Sequence, residues 1–306
     1  MWAYLSRRLV ASFAILIGIT MVTYCLTYIV PADPVRGMLG RNATPQMVEN
    51  ARRDLGLDRS LPEQYGLYVM RLAQGDLGRS YIQKIQVSDL VFSRLPATLL
   101  LMAGAIFFEL LIGIPAGIFA ATRRGRPVDR WIMMLSFGGV SAPQFVVGLL
   151  LLYLFSNLLS LFPMGGYGTL SHLVLPALTL GIAGGGWYAR MMRSSMVDVL
   201  RQDYVRTAKA KGLGPAKVVL VHAFRNAVLP IIAMIGLDVG IFMSGAVVVE
   251  SVFGWPGIGQ LAWLAIQRLD NPIIMGVTLV AALGIMIGNL VADLIIPLID
   301  PRVRLR

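Results

Sequence analysis

Six long apolar stretches constrain this chain more than any other feature: residues 9–30, 97–121, 133–159, 173–192, 227–249 and 273–296. A helix of about 20 apolar residues crosses the hydrocarbon core of a bilayer. Composition agrees: 57% of the residues are hydrophobic and 14% charged. A soluble domain carries about 25% charged residues, too many for this sequence to match. The expected fold is an all-α membrane protein with six transmembrane helices. The fourth stretch reads as the weakest, because Gly181, Gly184, Gly185 and Gly186 lower helix propensity. Small residues do let membrane helices approach closely. The first stretch follows Arg7 and Arg8 as a signal peptide would. Its apolar run exceeds the roughly 7–15 residues of a signal core, and Pro31-Ala32-Asp33-Pro34 is not a small-residue cleavage site, so it reads as a retained span.

Orientation follows from the basic residues. Seventeen of the 27 Lys and Arg fall in segments 1–8, 122–132, 193–226 and 297–306, with Arg190 at a span end. The intervening short loops hold almost none, and the long segment 31–96 is nearly balanced in charge. Basic residues collect in cytoplasmic loops, so both termini are expected inside. The same bias accounts for the net charge of +11 without nucleic acid as a partner. Cys25 is single and lies in an apolar run, and His172 and His222 are far apart, so no disulfide or zinc-type ligand set is present in the sequence.

Segment 31–96 carries helix punctuation. Thr44-Pro45 is an N-cap followed by proline at the first helical position, with Gly56 as a stop. Ser60-Leu61-Pro62-Glu63 is a capping box opening a second helix that ends near Gly75. The segment reads as a small helical cap on the outer face or as a structured connector without a ligand role. The expected organisation is residues 1–30 as N-terminus and first span, 31–96 as this cap, and 97–306 as a five-helix core.

The most informative loop lies between spans four and five, at about 196–228. Val197, Leu200, Tyr204 and Ala208 recur at helical spacing, with Arg201, Arg206, Lys209 and Lys211 between them. Gly212-Leu213-Gly214-Pro215 then breaks the chain, and Pro215 opens a second short helix toward Leu229-Pro230. Pattern alone is equally compatible with an amphipathic helix resting on anionic lipid.

Two strings in this loop, Tyr204-Val205-Arg206-Thr207-Ala208-Lys209-Ala210-Lys211-Gly212 and Arg225-Asn226-Ala227-Val228-Leu229-Pro230, resemble the cytoplasmic coupling loop of ABC importer permeases. The chain is most similar to the dipeptide, oligopeptide and nickel permease family. The likeness extends to Pro31-Ala32-Asp33-Pro34, Leu55-Gly56-Leu57-Asp58, Gly75-Asp76-Leu77-Gly78-Arg79-Ser80, Val249-Glu250-Ser251-Val252-Phe253-Gly254-Trp255-Pro256-Gly257-Ile258-Gly259 and Asp300-Pro301-Arg302. One departure stands out: the broad importer motif begins Glu-Ala-Ala, and Arg206-Thr207-Ala208 stand there instead. That removes any argument from a glutamate ion pair with the ATPase.

The resemblance implies the type I ABC importer permease fold in the bacterial inner membrane. It implies a second, related permease, P-loop ATPase subunits and an extracytoplasmic solute-binding protein as partners. Tyr204, Arg206, Thr207, Ala208, Lys211, Gly212 and Leu213 would couple to the ATPase, with Gly212 making the turn and Leu213 as an apolar anchor in the partner groove. Arg206, Lys209 and Lys211 would steer the contact. This chain would bind no cofactor, leaving ATP and Mg to the partners; no G-x-x-x-x-G-K-[ST] string occurs. The expected cargo is a dipeptide or oligopeptide, with nickel, glutathione or another small solute as alternatives.

Glu109, Asp238 and Asp293 are acids within spans, and Asn289 lies one turn before Asp293. Such groups line a pathway, contact a partner permease, or hydrogen-bond neighbouring helices. Glu250 is expected to face water. In the outer loop, Phe253, Trp255 and Pro256 would either meet the binding protein or anchor the loop at headgroup depth. An intramembrane serine protease would need a histidine beside Ser141, and both histidines lie outside the spans. An ion-coupled transporter would use the buried acids, but the internal repeat common in such folds is not found in the sequence.

Overall fold

A computed structural model of the chain describes residues 2–29 and 43–299 together with Val35 and Leu39, the side chains of 2–6, 9, 28–29 and 292–299 excepted. Pro31–Pro34 and Asp300–Arg302 of the resemblance lie outside the described residues. Apart from one antiparallel bridge between Arg79 and Gln86, the described residues contain no strand. The chain divides into two compact units. One comprises Met1–Thr98, Met243–Val247 and Pro256–Met286; the other comprises Leu99–Phe242, Val248–Trp255 and Ile287–Arg306.

In the first unit, α1 (Trp2–Ile29) carries the first apolar run, and only 6% of its Val10–Thr27 window is buried. The two short helices form where their caps specify them. α2 (Pro45–Asp54) starts at Thr44, whose Oγ1 accepts from the Met47 N–H at 3.3 Å. α3 (Leu61–Ala73) starts at Ser60, and Glu63 closes the capping box. Gly56 and Gly75 end them with φ of +68° and +80°. In both cases a backbone N–H two residues past the cap returns to the carbonyl five residues earlier, the pattern of a glycine-terminated helix. The turn after α12 (Ile258–Arg268) follows the same pattern with Leu269 at φ +57°. Asp270, 2% exposed, then ties this turn to residues 80–82 by accepting from Ser80 Oγ at 2.5 Å, Tyr81 N at 3.1 Å and Ile82 N at 3.3 Å.

The second unit is built on two long helices, α4 (Val87–Thr122) from Leu99 onward and α7 (Leu170–Val199). Each is long and apolar enough to cross a membrane. The glycines expected to weaken the fourth span instead define its packing. A Cβ at Gly181 would meet Phe108, one at Gly185 would meet Ile112, and one at Gly113 would meet Tyr188 and the Gly185 carbonyl. Contact thus advances along both helices together, from Gly104 against Ala177 to Gly117 against Met192, so α4 and α7 run in the same direction. Close backbone approach outweighs the helix-propensity penalty, because a glycine's missing side chain is filled by the neighbour. α7 accordingly continues unbroken for 30 residues.

The third and fifth stretches are not single straight helices. α5 (Pro127–Ser141) packs antiparallel to α7, with Gly186 against Ser136 and Gly139 against Ile182. It turns by 101° into α6 (Gln144–Leu158). Ala142, placed before Pro143, is extended at φ −72°, ψ 129°, as the proline ring requires of the residue preceding it. α9 (Pro215–Ala227) meets α10 (Leu229–Met243) at 49°. α11 (Val247–Phe253) follows, and α13 (Asn271–Ile299) is the last of the described elements. Four helices qualify as membrane spans by length and hydropathy, or six when each bent pair counts as one.

Candidate functional site

The segment expected to couple folds as helix, glycine turn and helix. α8 (Asp203–Ala210) ends at Gly212, whose φ is +76°. Gly212 N–H bonds the Lys209 carbonyl at 3.0 Å and Leu213 N–H reaches the Ala208 carbonyl at 3.4 Å. This closing geometry brings the residue after the glycine back onto the helix's last apolar position. Leu213 is consequently half-buried against the chain's own core. That removes much of the free apolar anchor expected of it.

The apolar face also differs from the expected stripe. α7 stops at Val199 and α8 begins afresh at Asp203, so the helical period does not carry through residues 200–202. Val205 (0% exposed) and Ala208 (5%) face inward, and Tyr204 is exposed. Ala208 therefore packs the loop rather than presenting it. Val205 was missed in the sequence because the period was counted across the break. The two inward side chains join Met192 and Met196 of α7, Val218 and Ala223 of α9, and Ile231 of α10 in one buried cluster. Burying a Val side chain stabilises by about 1.5–3 kcal/mol. A load on α8 thus bears directly on α7 and α10.

The outward face of the same loop is polar and basic. Arg206, Thr207, Lys209, Lys211 and Gly212 are exposed. Arg206 approaches Asp203 at 3.5 Å with both side chains open to water, an ion pair that contributes little. Asn226 Nδ2 donates to Tyr204 Oη at 2.7 Å, joining the two strings on which the resemblance rests. Ser195 Oγ donates to the Ala227 carbonyl at 2.8 Å, fastening α7 to the end of α9.

One further lock stands near these ends. Arg193 of α7 makes a two-pronged contact with Asp129 of α5, at 2.5 Å (Nε to Oδ1) and 2.7 Å (Nη2 to Oδ2). Gly125 N–H donates to Asp129 Oδ2 at 2.9 Å. Charge-assisted, bidentate pairs of this kind are short and directional. The two residues stand 64 positions apart in the chain, so nothing local in the sequence signals their pairing.

Of the intramembrane acids, the structure brings Glu109 and Asp238 together: a side-chain hydrogen bond joins them, and Tyr188 Oη donates to Asp238 Oδ2. Glu109 is 3% exposed and occupies the space where a side chain at Gly184 would stand. Its Oε2 has no hydrogen-bond partner among the described residues. Tyr188, the third member, gave no sequence signal, being one aromatic in an apolar run. Asn289 is half-buried on α13 and hydrogen-bonds neither acid among the described residues. The side chain of Asp293 lies outside the described residues.

The loop at 253–256 departs most from expectation. Phe253 (2% exposed) and Trp255 (0%) are buried, so neither meets a binding protein nor anchors at a membrane surface. Trp255 stands edge to face with Tyr167, centroids 4.9 Å apart, and Gly166 N–H donates to the Phe253 carbonyl at 2.8 Å. Pro256 alone of the three keeps partial exposure. Glu250, expected in water, is fully buried. Its carbonyl accepts from Trp255 N at 2.8 Å, closing the turn.

The model of the binding-protein-dependent transport system inner membrane component matches residues 113–305, and its N-terminal companion matches residues 1–102. The chain is 40% identical to the di/tripeptide transport system permease protein DppB of Pseudomonas aeruginosa (strain UCBPP-PA14), over 99% of each chain. It is 40% identical to a putative peptide permease of Brucella suis biovar 1 (strain 1330), again over 99% of each. It is 38% identical to the glutathione transport system permease protein GsiC of Escherichia coli (strain K12), over 98% of each. Among solved structures, an inward-facing MetNI methionine ABC transporter matches with a TM-score of 0.58 at 16% identity, covering 69% of this chain and 96% of that one, a likeness of fold. With both family models and these full-length relatives in agreement, the chain belongs to the inner-membrane components of binding-protein-dependent transport systems.

Proposed function

We propose that this chain pairs with a second, related permease to form the pathway by which small peptides are imported, with ATP hydrolysed in separate P-loop subunits that dock on α8 and its glycine turn. An extracytoplasmic binding protein delivers the cargo. Both chain termini and the 193–226 segment lie in the cytoplasm on this reading. The observation that carries it is the two-sidedness of α8. Val205 and Ala208 lock the helix into a cluster shared with α7 and α10, and Arg206, Lys209 and Lys211 are exposed on the opposite face. Such a helix transmits a rigid push to the spans it joins, which suits alternating access driven from outside the chain. The shared direction of α4 and α7 suits the proposed orientation, since both would run from the outer to the inner face. The names of the full-length relatives support peptides as cargo.

The test is purification of the tagged chain from native membranes in mild detergent, followed by uptake in proteoliposomes. Charge reversal at Arg206 and Lys211 leaves the inward face intact, so it is cleaner than altering Leu213. Recovery of a P-loop ATPase and a second permease is the expected result, with the ATPase lost on that reversal and the second permease retained. Uptake of a labelled dipeptide or tripeptide, measured beside glutathione and Ni²⁺, assigns the cargo. Uptake that persists without any ATPase would sink the reading.

A further inference from the structure

Within the first unit, a cavity of about 760 Å³ opens between the end of α1, the helices α2 and α3, and the start of α13. Five arginines line it, Arg52, Arg53, Arg59, Arg71 and Arg79, against two aspartates, Asp54 and Asp76. Glu49 holds Arg53 at 2.6 Å, and Arg79 Nε donates to the Lys84 carbonyl at 2.5 Å. Asp76 spends one oxygen on the Gly78 N–H at 2.8 Å. Arg59 and Arg71 line this concave space with no ion pair among the described residues.

Its inner wall is aromatic. Tyr24 and Tyr68 line the cavity, and with Tyr65 they form a cluster of edge-on and tilted rings whose centroids lie 5.5 to 6.4 Å apart. Tyr24 Oη donates to Gln64 Oε1 at 3.1 Å, and Gln64 is itself buried. Tyr68 Oη has no hydrogen-bond partner among the described residues. Burial, with Tyr65 adding to it, pushes the Tyr68 phenol up to about 12, so it remains a neutral O–H donor at any physiological pH.

The depth of the cavity identifies the ligand class. Tyr24 and Thr27 are among the last residues of the apolar window Val10–Thr27. The wall thus stands at the edge of the hydrocarbon zone with the arginines beyond it. Val10, Phe13, Met21 and Leu26 of α1 are each more than half exposed, a surface for acyl chains leading to that edge. Tyrosine at the interface and clustered arginine beside it suit a phosphate oxyanion at headgroup level. We propose that this cavity holds the headgroup of an anionic phospholipid, with Arg59 and Arg71 on the phosphate and the Tyr68 hydroxyl donating to it.

The assembled, full-length transporter in nanodiscs of phosphatidylcholine with admixed phosphatidylglycerol tests this. Lipid retained on the released protein is counted by native mass spectrometry. Wild type is expected to keep one phosphatidylglycerol under activation that strips phosphatidylcholine. An Arg59→Gln/Arg71→Gln variant is expected to lose about tenfold or more in retention, since charge-assisted bonds go. Tyr68→Phe, which leaves every charge in place, is expected to lose about threefold to tenfold, the value of one hydrogen bond. Equal retention by wild type and both variants overturns the proposal, as does indifference between the two lipids. Displacement of the lipid by equimolar glycerol phosphate or inorganic phosphate also overturns it, showing a site for a free oxyanion instead.

Discussion

Replacing Asp129 by Asn tests the lock between α5 and α7. The substitution keeps the shape of the side chain and removes its charge. Two short bonds from Arg193 and one from Gly125 converge on that carboxylate. Breaking a fully buried ion pair by removing one partner costs about 3–5 kcal/mol, because the other charge is left unmatched. The Asp129 side chain is 4% exposed, but that of Arg193 is 29% exposed, so water recovers part of the loss. The expected cost is about 2–3 kcal/mol, a drop of roughly 30- to 150-fold in the ratio of folded to unfolded protein. Reversible unfolding in mixed detergent micelles measures it, with Asp129→Asn, Arg193→Gln and the double variant compared in a cycle. A coupling energy of at least about 1.5 kcal/mol is expected, because both singles break the same contact. A single-variant cost below about 0.5 kcal/mol, or additive singles, would refute the reasoning and make the pair a surface ornament.

Five other outcomes are expected. Gly184→Ala drives a methyl group into the Glu109 side chain, which must shift, and should cost about 1–3 kcal/mol by thermal unfolding. Glu109→Gln, which can still hydrogen-bond Asp238, should cost under about 1 kcal/mol, against roughly 1–3 for Glu109→Leu, as read by thermal unfolding. Gly212→Ala meets no neighbour but must hold φ +76°, so it should cost about 1–2 kcal/mol locally and lower solute uptake per ATP hydrolysed. Asp270→Ala strands three donors, one of them on the buried Ser80, and should cost about 2–4 kcal/mol by the same unfolding assay. Spectrophotometric titration should show one tyrosine ionising near pH 12 and missing from Tyr68→Phe. Because its folded pKa lies above the unfolded value of about 10, its contribution to stability is complete below that value and is lost as pH rises through the folded one.

Local chemistry was legible in the sequence, and chemistry between distant segments was not. The caps of α2 and α3 are written in neighbouring residues, so Thr44, Ser60, Glu63, Gly56 and Gly75 could be placed from the sequence. The glycine turn at Gly212 belongs to the same class. The worth of Gly181, Gly184 and Gly185 lies on α4, some 70 residues earlier, where no propensity scale looks. Trp255 reads alike as an interface anchor and as a core residue, because pattern fixes depth along a span but not the direction faced. The 101° turn did have a signal in Pro143, whose restriction on Ala142 forecasts a break where a continuous apolar run suggested one helix. Pairing Glu109 with Asp238 needed the tertiary fold, since both stood in the sequence only as isolated acids.

Two stretches of helix are wound more loosely than the rest, Leu152–Leu158 in α6 and Val218–Ala223 in α9. There the amide of Leu159 reaches back five residues to Leu154, and that of Phe224 to Val219. A loop closed over five residues holds one more than the usual four, so each stretch stores a surplus residue without breaking the chain of backbone bonds. Removal of one residue from Val218–Ala223 would tighten the winding and leave everything downstream in step, whereas the same deletion in α7 would rotate each later side chain by about 100° off its partner. The connection between α8 and α10 is therefore where this chain's length is most negotiable, and the glycine-packed α7 where it is least so.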